Sequence, residues 1–293
     1  MSITAAMVKE LRQRTGAGMM ECKKALVATS GDIEIAIEEM RKSGAAKAAK
    51  KSSRIAAEGV VKILPSADGK TATMVEINCE TDFVGKDENF LAFTDKVVAN
   101  AAQLGSESVE QLMATEVNGE SLEAIRTTLI SKIGENVQVR RIKNMTTTQG
   151  VFGHYLHGSS IGVVVNVSTD NADLAKDLAM HVAAIKPEFI SEKDVPADIV
   201  AKEKEILMAQ VADSGKPVEI VEKMIGGRLR KFLAGITLYG QDFVKNPDIT
   251  VEKLLKSENA EVLAYVRMEV GEGIEKKVDN FAQEVMSQVR GDN

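Results

Sequence analysis

Three stretches of this 293-residue chain carry residue types that could do chemistry. Gly158-Ser159-Ser160-Ile161-Gly162 fits the Gly-x-Ser-x-Gly pattern of serine hydrolases. That pattern works where a strand turns sharply into a helix, whereas these glycines flank a hairpin turn entering a strand. Gly69-Lys70-Thr71 resembles the end of a phosphate-binding loop. The leading glycine's place falls on Leu64, however, Pro65 follows it, and no helix opens after Thr71. His154, His157 and His181 show no metal-ligand spacing with Cys22 or Cys79. The histidines are therefore expected in structural or partner-contact roles, and the cysteines as small buried hydrophobes. No paired catalytic carboxylates and no dinucleotide fingerprint stand out. No metal, cofactor or catalytic apparatus is expected, which favours a protein that acts on another protein.

What remains is the loop Thr81-Asp82-Phe83-Val84-Gly85. It follows an alternating strand, Met74-Val75-Glu76-Ile77-Asn78-Cys79, and precedes a helix beginning near Asp87. Aromatic residues are 4% of the chain and tryptophan is absent. Local sequence leaves two readings of Phe83 open: a ring tucked under its own loop, or a probe facing a partner.

The surrounding elements shift that balance. Residues 4–44 read as three short helices, with Thr4 capping the first and Gly16 ending it. Met7, Val8 and Leu11 face inward on the first; Met19, Cys22 and Leu26 mark the second. Asp32 caps the third, where Ile33, Ala36, Ile37 and Met40 follow helical spacing. So small a module suits docking better than chemistry. Between Arg41 and Arg54 the basic residues Arg41, Lys42, Lys47, Lys50, Lys51 and Arg54 meet no acidic one. A solvated linker face, contact with an acidic protein partner and RNA contact all remain open there, the last disfavoured by the lack of aromatics.

From residue 58 an α+β pattern occurs twice. A strand opens at Gly59-Val60, turns at Gly69, and returns to Asn78; Thr81-Asp82 and a helix (Phe90, Phe93, Val97, Ala101) follow. Likewise Gly150-Val151 opens a strand, His157 to Ser160 turns it, and Ile161–Val167 leads to Thr169-Asp170 and a helix (Leu174, Leu178, Val182). Ile133-Gly134-Glu135-Asn136 leads into Val137-Gln138-Val139, as Lys256-Ser257-Glu258-Asn259 leads into Val262, Ala264, Val266 and Met268. The first copy carries a longer loop after its Thr-Asp pair, and Phe83 lies in it; this favours the outward reading. Residues 196–233 read as an αα-hairpin, and residues 279–290 (Phe281, Val285, Val289) as a terminal helix.

The expected class is thus α+β: a three-helix N-terminal domain, a duplicated α+β core with an inserted antiparallel helical hairpin, and a C-terminal helix. The expected domains are 1–56 (docking helices plus basic linker), 57–146 (first core subdomain), 147–270 (second, with the hairpin) and 271–293 (C-terminal helical module). A net charge of −6 argues against nonspecific coating of nucleic acid. No apolar run is long enough to span a membrane. The N-terminus lacks the features of a secretory signal, so a cytoplasmic setting is expected.

Ile3-Thr4-Ala5-Ala6-Met7-Val8-Lys9-Glu10-Leu11-Arg12, with Arg14-Thr15-Gly16-Ala17-Gly18-Met19-Met20-Glu21-Cys22-Lys23-Lys24-Ala25-Leu26, resembles the N-terminal signature of the bacterial elongation factor Ts family. Asn78-Cys79-Glu80-Thr81-Asp82-Phe83-Val84 resembles its second signature. The likeness continues through Lys132 to Asn136, His157-Gly158, His181 to Ala184, Lys186 to Phe189 and Val270 to Ile274, essentially the whole chain. The resemblance implies a guanine-nucleotide exchange factor for elongation factor Tu, met in its GDP-bound and nucleotide-free forms, with no covalent chemistry of its own. Dislocation of the partner's Mg²⁺ would fall to Thr81, Asp82, Phe83 and Val84. Partner binding would fall to Arg12, Met19, Met20, Lys23, Lys51, Ile133 and His157. The hairpin would serve a homodimer, if one forms. Direct specific nucleic-acid binding is not expected, although an RNA- or ribosome-associated scaffold is the alternative. At Gln241-Asp242-Phe243-Val244-Lys245 the chain departs from the family pattern, where Pro at 242 and an apolar residue at 245 are expected. That departure weakens a contact role for Phe243 and Val244.

Overall fold

The computed structural model describes residues 3–211 and 217–275. Thr4 caps α1 (Ala5–Thr15) by accepting from the Met7 N–H at 3.3 Å, and Gly16 ends it at φ 67°, a left-handed turn that suits glycine. α2 (Met19–Ala28) and α3 (Ile33–Lys51) follow, the latter capped by Asp32 on the Ile35 N–H. Val8, Leu11, Cys22, Leu26 and Ala36 close the small core among these helices.

Next come β1 (Glu58–Pro65), β2 (Thr71–Cys79), α4 (Glu88–Leu104), α5 (Val109–Met113), β3 (Glu116–Val117), β4 (Glu120–Ser121), α6 (Leu122–Ile133) and β5 (Val137–Thr146). Then β6 (Val151–His157), β7 (Ile161–Val167), α7 (Ala172–Ile185), α8 (Ala197–Val211) and α9 (Val218–Ile236). The last elements are β8 (Asp242–Phe243), β9 (Asn246–Thr250), α10 (Val251–Ser257) and β10 (Val262–Glu269). The molecule is α+β. One sheet has the order β1-β2-β5 and another the order β10-β7-β6, with both joins of the second antiparallel. The helix read over 279–290, and the hairpin tip 212–216, lie outside the described residues.

By their contacts the described residues fall into two units. One comprises residues up to Val60, Val75–Ile142 and those from Val270 on; the other comprises Val61–Met74 and Lys143–Glu269. In the first unit, α3 does not stop near residue 44 but continues to Lys51. Alanine and lysine are strong helix formers, and the added turns pack on α6. A Cβ at Gly44 would come within 2.9 Å of Ser131 Oγ, so the missing side chain admits the close approach. Ala48 joins Ile77, Phe90, Phe93, Val97, Leu122 and Ile130 in the unit's main core.

The strand β2 is not half-exposed, as its alternation suggests: every residue from Ala72 to Cys79 is buried. The polar face is covered by charge. Glu76, fully buried, pairs with Arg140 at 3.0 Å and Arg141 at 2.5 Å. It also accepts from Asn78 Nδ2 at 3.1 Å and from the Gly271 N–H at 2.8 Å. Arg140 and Arg141 then reach the carbonyl and carboxylate of Glu272. Gly271 sits at φ 72°, and a Cβ there would lie 2.3 Å from the Ala57 carbonyl oxygen. One carboxylate thus ties β2, β5 and the segment after β10 together.

In the second unit β6 and β7 form a hairpin with His157 opposite Ile161, leaving Ser160 in the exposed turn. No helix follows that serine, so it is not a nucleophile elbow. Gly69-Lys70-Thr71 likewise enters β2 rather than a helix, and Lys70 Nζ donates to the Gly150 carbonyl at 2.5 Å. α7 buries Leu174, Leu178 and Val182. Leu207 and Val211 of α8 meet Ile225 of α9, which runs three residues past the expected end at 233.

Replacing Glu76 by alanine removes a shared acceptor from two arginines and a backbone N–H, and should cost about 3 kcal/mol. A lower urea midpoint at unchanged slope would report it; an unchanged midpoint would remove Glu76 from its place as an anchor.

Candidate functional site

The loop after β2 is pinned at its base. Cys79 is buried, and its Sγ–H donates to the Thr81 carbonyl at 3.1 Å. Burial, with Glu135 and Glu58 adding to it, pushes this thiol up to about 12, so it remains a protonated donor. Glu135 accepts from the Thr81 N–H at 3.0 Å and from the Thr81 hydroxyl at 2.8 Å. That hydroxyl oxygen accepts in turn from the Val84 N–H at 3.4 Å. In the return direction, Glu80 accepts from the Asn136 N–H at 2.6 Å. Beyond the loop, Asp87 caps α4 by accepting from the Asn89 and Phe90 N–H groups at 2.9 and 3.1 Å.

Between these fixed ends Phe83 is 81% exposed, while its neighbour Val84 is only 7% exposed and belongs to the core. The ring is not tucked under its loop. Its backbone lies at φ −64° and ψ −47°, an ordinary helical pair, so no strain forces it outward. Asp82 is also exposed and pairs with Lys86 at 2.8 Å. The lysine's hydrogen bond and charge hold the Asp82 carboxyl below the usual carboxylate range. Thr81 is half-buried as the anchor of the group.

A second surface lies on α2 of the same unit. Cys22 and Leu26 point inward, whereas Met19 and Met20 are 61% and 66% exposed. Lys23 is exposed too, as is Arg12 on α1. Met19 therefore does not join the buried stripe that its spacing from Cys22 suggests. Val27, 61% exposed, shares its face with Met19 and Lys23 at i, i+4 and i+8. The spacing that puts Val27 on this face is legible in the sequence.

Among the described residues no group of three or more His, Cys, Asp or Glu could hold a metal. No helix among them is long and apolar enough to cross a membrane. A cleft of about 550 Å³ is lined by Arg14, Ile37, Met40, Gly44, Thr128 and Ser131, away from the Phe83 loop. The loop offers a projection in place of a concave active site.

The family model described as "Elongation factor TS" matches residues 80–272, beginning beside this loop. The chain is 57% identical to Elongation factor Ts of Thioalkalivibrio sulfidiphilus (strain HL-EbGR7), over 99% of this chain and 100% of that protein. It is 57% identical to Elongation factor Ts of Methylococcus capsulatus (strain ATCC 33009 / NCIMB 11132 / Bath), over 99% of each. It is 55% identical to Elongation factor Ts of Alkalilimnicola ehrlichii (strain ATCC BAA-1101 / DSM 17681 / MLHE-1), over 99% of this chain and 100% of the relative. The chain belongs to the elongation factor Ts family.

In this member of the family the remaining expected residues are distributed as follows. Lys51 is half-buried and donates to the Gly134 carbonyl. Lys47 pairs with Glu21, and Arg54 with Glu80 at 3.6 Å, so much of the basic stretch is engaged with the chain's own groups. Ile133 is half-buried against the first unit's core. In the second unit His157 is exposed at the end of β6, its Nδ1 3.3 Å from the Tyr155 hydroxyl.

The departing segment has its own frame. His181, fully buried, bonds Gln241 Oε1 through Nε2 at 2.9 Å and accepts the Val244 N–H on Nδ1 at 3.2 Å. That places its proton on Nε2, and burial pushes its pKa down. Phe243 stacks on the imidazole with centroids 6.0 Å apart, and Lys245 pairs with Asp177 at 2.5 Å. Phe243 is therefore core, while Val244 is exposed.

Because the ring of Phe83 touches little of its own fold, Phe83→Ala should leave unfolding stability within about 0.5 kcal/mol. Val84→Ala should cost about 1–2 kcal/mol for its buried methyls. Thermal unfolding of both variants checks this; an equal loss for Phe83→Ala would mean that the ring supports the fold.

Proposed function

We propose that the chain is the guanine-nucleotide exchange factor for elongation factor Tu, binding the GDP form, displacing Mg²⁺ and promoting GDP release and GTP loading during protein biosynthesis in the cytoplasm. The observation that carries this reading is an outward phenyl ring on an unstrained, pinned loop in a member of the elongation factor Ts family. Thr81 and Val84 fix the loop, Phe83 enters the partner near its magnesium site, and Asp82 competes for the metal's ligands. Arg12, Met19, Met20 and Lys23 dock the first unit, with Lys51 and Ile133 holding the framework behind them. His157 contacts the partner from the second unit. No covalent bond is made or broken by this chain.

The domains follow the same reading: docking helices and linker to residue 56, two related core subdomains at 57–146 and 147–270, and a C-terminal module from 271. The matching strand orders of the two sheets, a hairpin with a later strand beside its second member, support the duplication. Exposed Ile206, Met208, Val218 and Ile220 on α8 and α9 support self-association through the hairpin.

An exchange factor weakens nucleotide binding by as much as nucleotide weakens its own binding. A 10⁴-fold effect needs roughly 5.5 kcal/mol of differential affinity. Burial of one phenylalanine contributes only about 1.5–3 kcal/mol. The ring must therefore act as a wedge, displacing partner elements so that Mg²⁺ loses ligands and the phosphates lose charge-assisted hydrogen bonds. The docking helices contribute affinity common to both nucleotide states.

Stopped-flow release of a fluorescent GDP from elongation factor Tu tests this directly. Phe83→Ala should slow stimulated release by about tenfold or more while keeping much of the binding. Polar replacement of Met19 and Met20 should weaken association instead. Unchanged release with Phe83→Ala would refute the wedge, and normal binding without the methionines would take them off the docking surface.

A further inference from the structure

We infer that Glu135 is the positioning residue that aims Phe83, an inference that rests on the exchange reading above and names the part of the fold controlling its wedge. The carboxylate holds both hydrogen-bond donors of Thr81, its N–H and its hydroxyl, at 3.0 and 2.8 Å. Through that hydroxyl the restraint passes to the Val84 N–H on the far side of Phe83. The Thr81 carbonyl meanwhile accepts from Cys79 Sγ and, at 3.2 Å, from the Gly85 N–H. Every polar group of Thr81 is thus engaged, and Phe83 stands two residues from a fixed point.

The segment that carries Glu135 is itself gripped from the other side. Asn136 Nδ2 donates to the carbonyls of Arg54 at 2.8 Å and Ser52 at 3.4 Å, and Lys51 donates to Gly134. Residues 134–136 therefore join the end of α3, and with it the docking helices, to the wedge loop. Docking through α2 and insertion of Phe83 are thereby referred to one short piece of chain.

The second half of the molecule supplies an internal contrast. Its Thr169-Asp170 pair has no Phe after it. The corresponding Glu258 does not reach the threonine but accepts from Asn171 Nδ2 at 3.3 Å, and the Thr169 hydroxyl is buried without a hydrogen-bond partner. The clasp is present where the exposed ring is, and missing where the ring is missing.

The test is the same fluorescent-GDP release from elongation factor Tu, titrated with full-length wild type, Glu135→Ala, Glu135→Gln, Phe83→Ala, Glu258→Ala and the double variant Glu135→Ala/Phe83→Ala. Glu135→Ala should lower the release rate at saturation by about tenfold, with the half-saturating concentration held within about twofold. Glu135→Gln, which keeps one acceptor, should recover part of that loss. If Glu135 acts through the ring, removing it from the Phe83→Ala protein should cost nothing further. Glu258→Ala should match wild type. Thermal unfolding confirms which proteins are folded, and Glu135→Gln with Thr81→Val carries the same comparison if the alanine variant is not. A saturating rate for Glu135→Ala equal to wild type overturns the inference, as does a loss confined to half-saturation or one that multiplies with Phe83→Ala. Wild-type protein that fails to accelerate release overturns the exchange reading as well, which separates the two failures.

Discussion

The carboxylate of Glu135, closed on the N–H and hydroxyl of Thr81, is the contact on which the outward loop depends. A phenyl ring in water has no reason of its own to stay there; collapse onto the nearest apolar surface would lower its free energy by up to about 1.5–3 kcal/mol. Phe83 stays out because its two flanks are committed elsewhere. Thr81 is held by hydrogen bonds to a charged group, which are roughly twice as strong as neutral ones. Val84 is buried in the core of the unit. With Thr81 and Val84 fixed and the Phe83 backbone in a relaxed helical pair, the Cα–Cβ bond that carries the ring is held pointing outward.

That arrangement requires a stiff base, and the base is stiffened by charge as well as by apolar packing. β2 ends at the loop, and halfway along it the buried Glu76 gathers Arg140, Arg141, Asn78 and the Gly271 N–H. A buried carboxylate is tolerable only when its oxygens are satisfied, and here they are satisfied by groups from β2, β5 and the chain after β10. Strand order and loop direction are consequently linked: a register slip in β2 would strand this carboxylate and displace Cys79 and Thr81 together.

Much of this was legible in the residues. Caps at Thr4 and Asp32, the stop at Gly16, and the inward faces of α4 and α7 follow from local rules that operate within one turn of helix. The longer loop around Phe83 stood out because a related pattern elsewhere in the chain lacked it. What local sequence did not disclose is long-range. Alternation in β2 suggests a wet face, yet arginines some 64 residues away cover Glu76. Composition suggested a linker after residue 44, yet α6 provides a surface on which Gly44 and Ala48 let α3 continue. Lys51 read as a surface charge, and its partner is a carbonyl 83 residues along the chain. The second unit shows the same limit at His181, whose two nitrogens are assigned by Gln241 and Val244 roughly 60 residues on.

On the exchange reading proposed above, the division between a docking face and a wedge follows from the energetics of exchange. Affinity that is equal for all nucleotide states of a partner brings the two proteins together but shifts no equilibrium. Only contacts available in one state do so, and a contact with a displaced element is available only while that element is displaced. On that reading Met19 and Met20 can be exposed on a simple helix, because the geometry proposed for them need only match a surface. The wedge proposed for Phe83 is a harder task, since a ring that could swing aside would relieve the partner's strain by moving itself. In such a mechanism rigidity at the base of the ring would make displacement of the partner the easier response, and the hydrogen-bonded junction at residues 134–136 ties that base to the framework that carries the N-terminal helices.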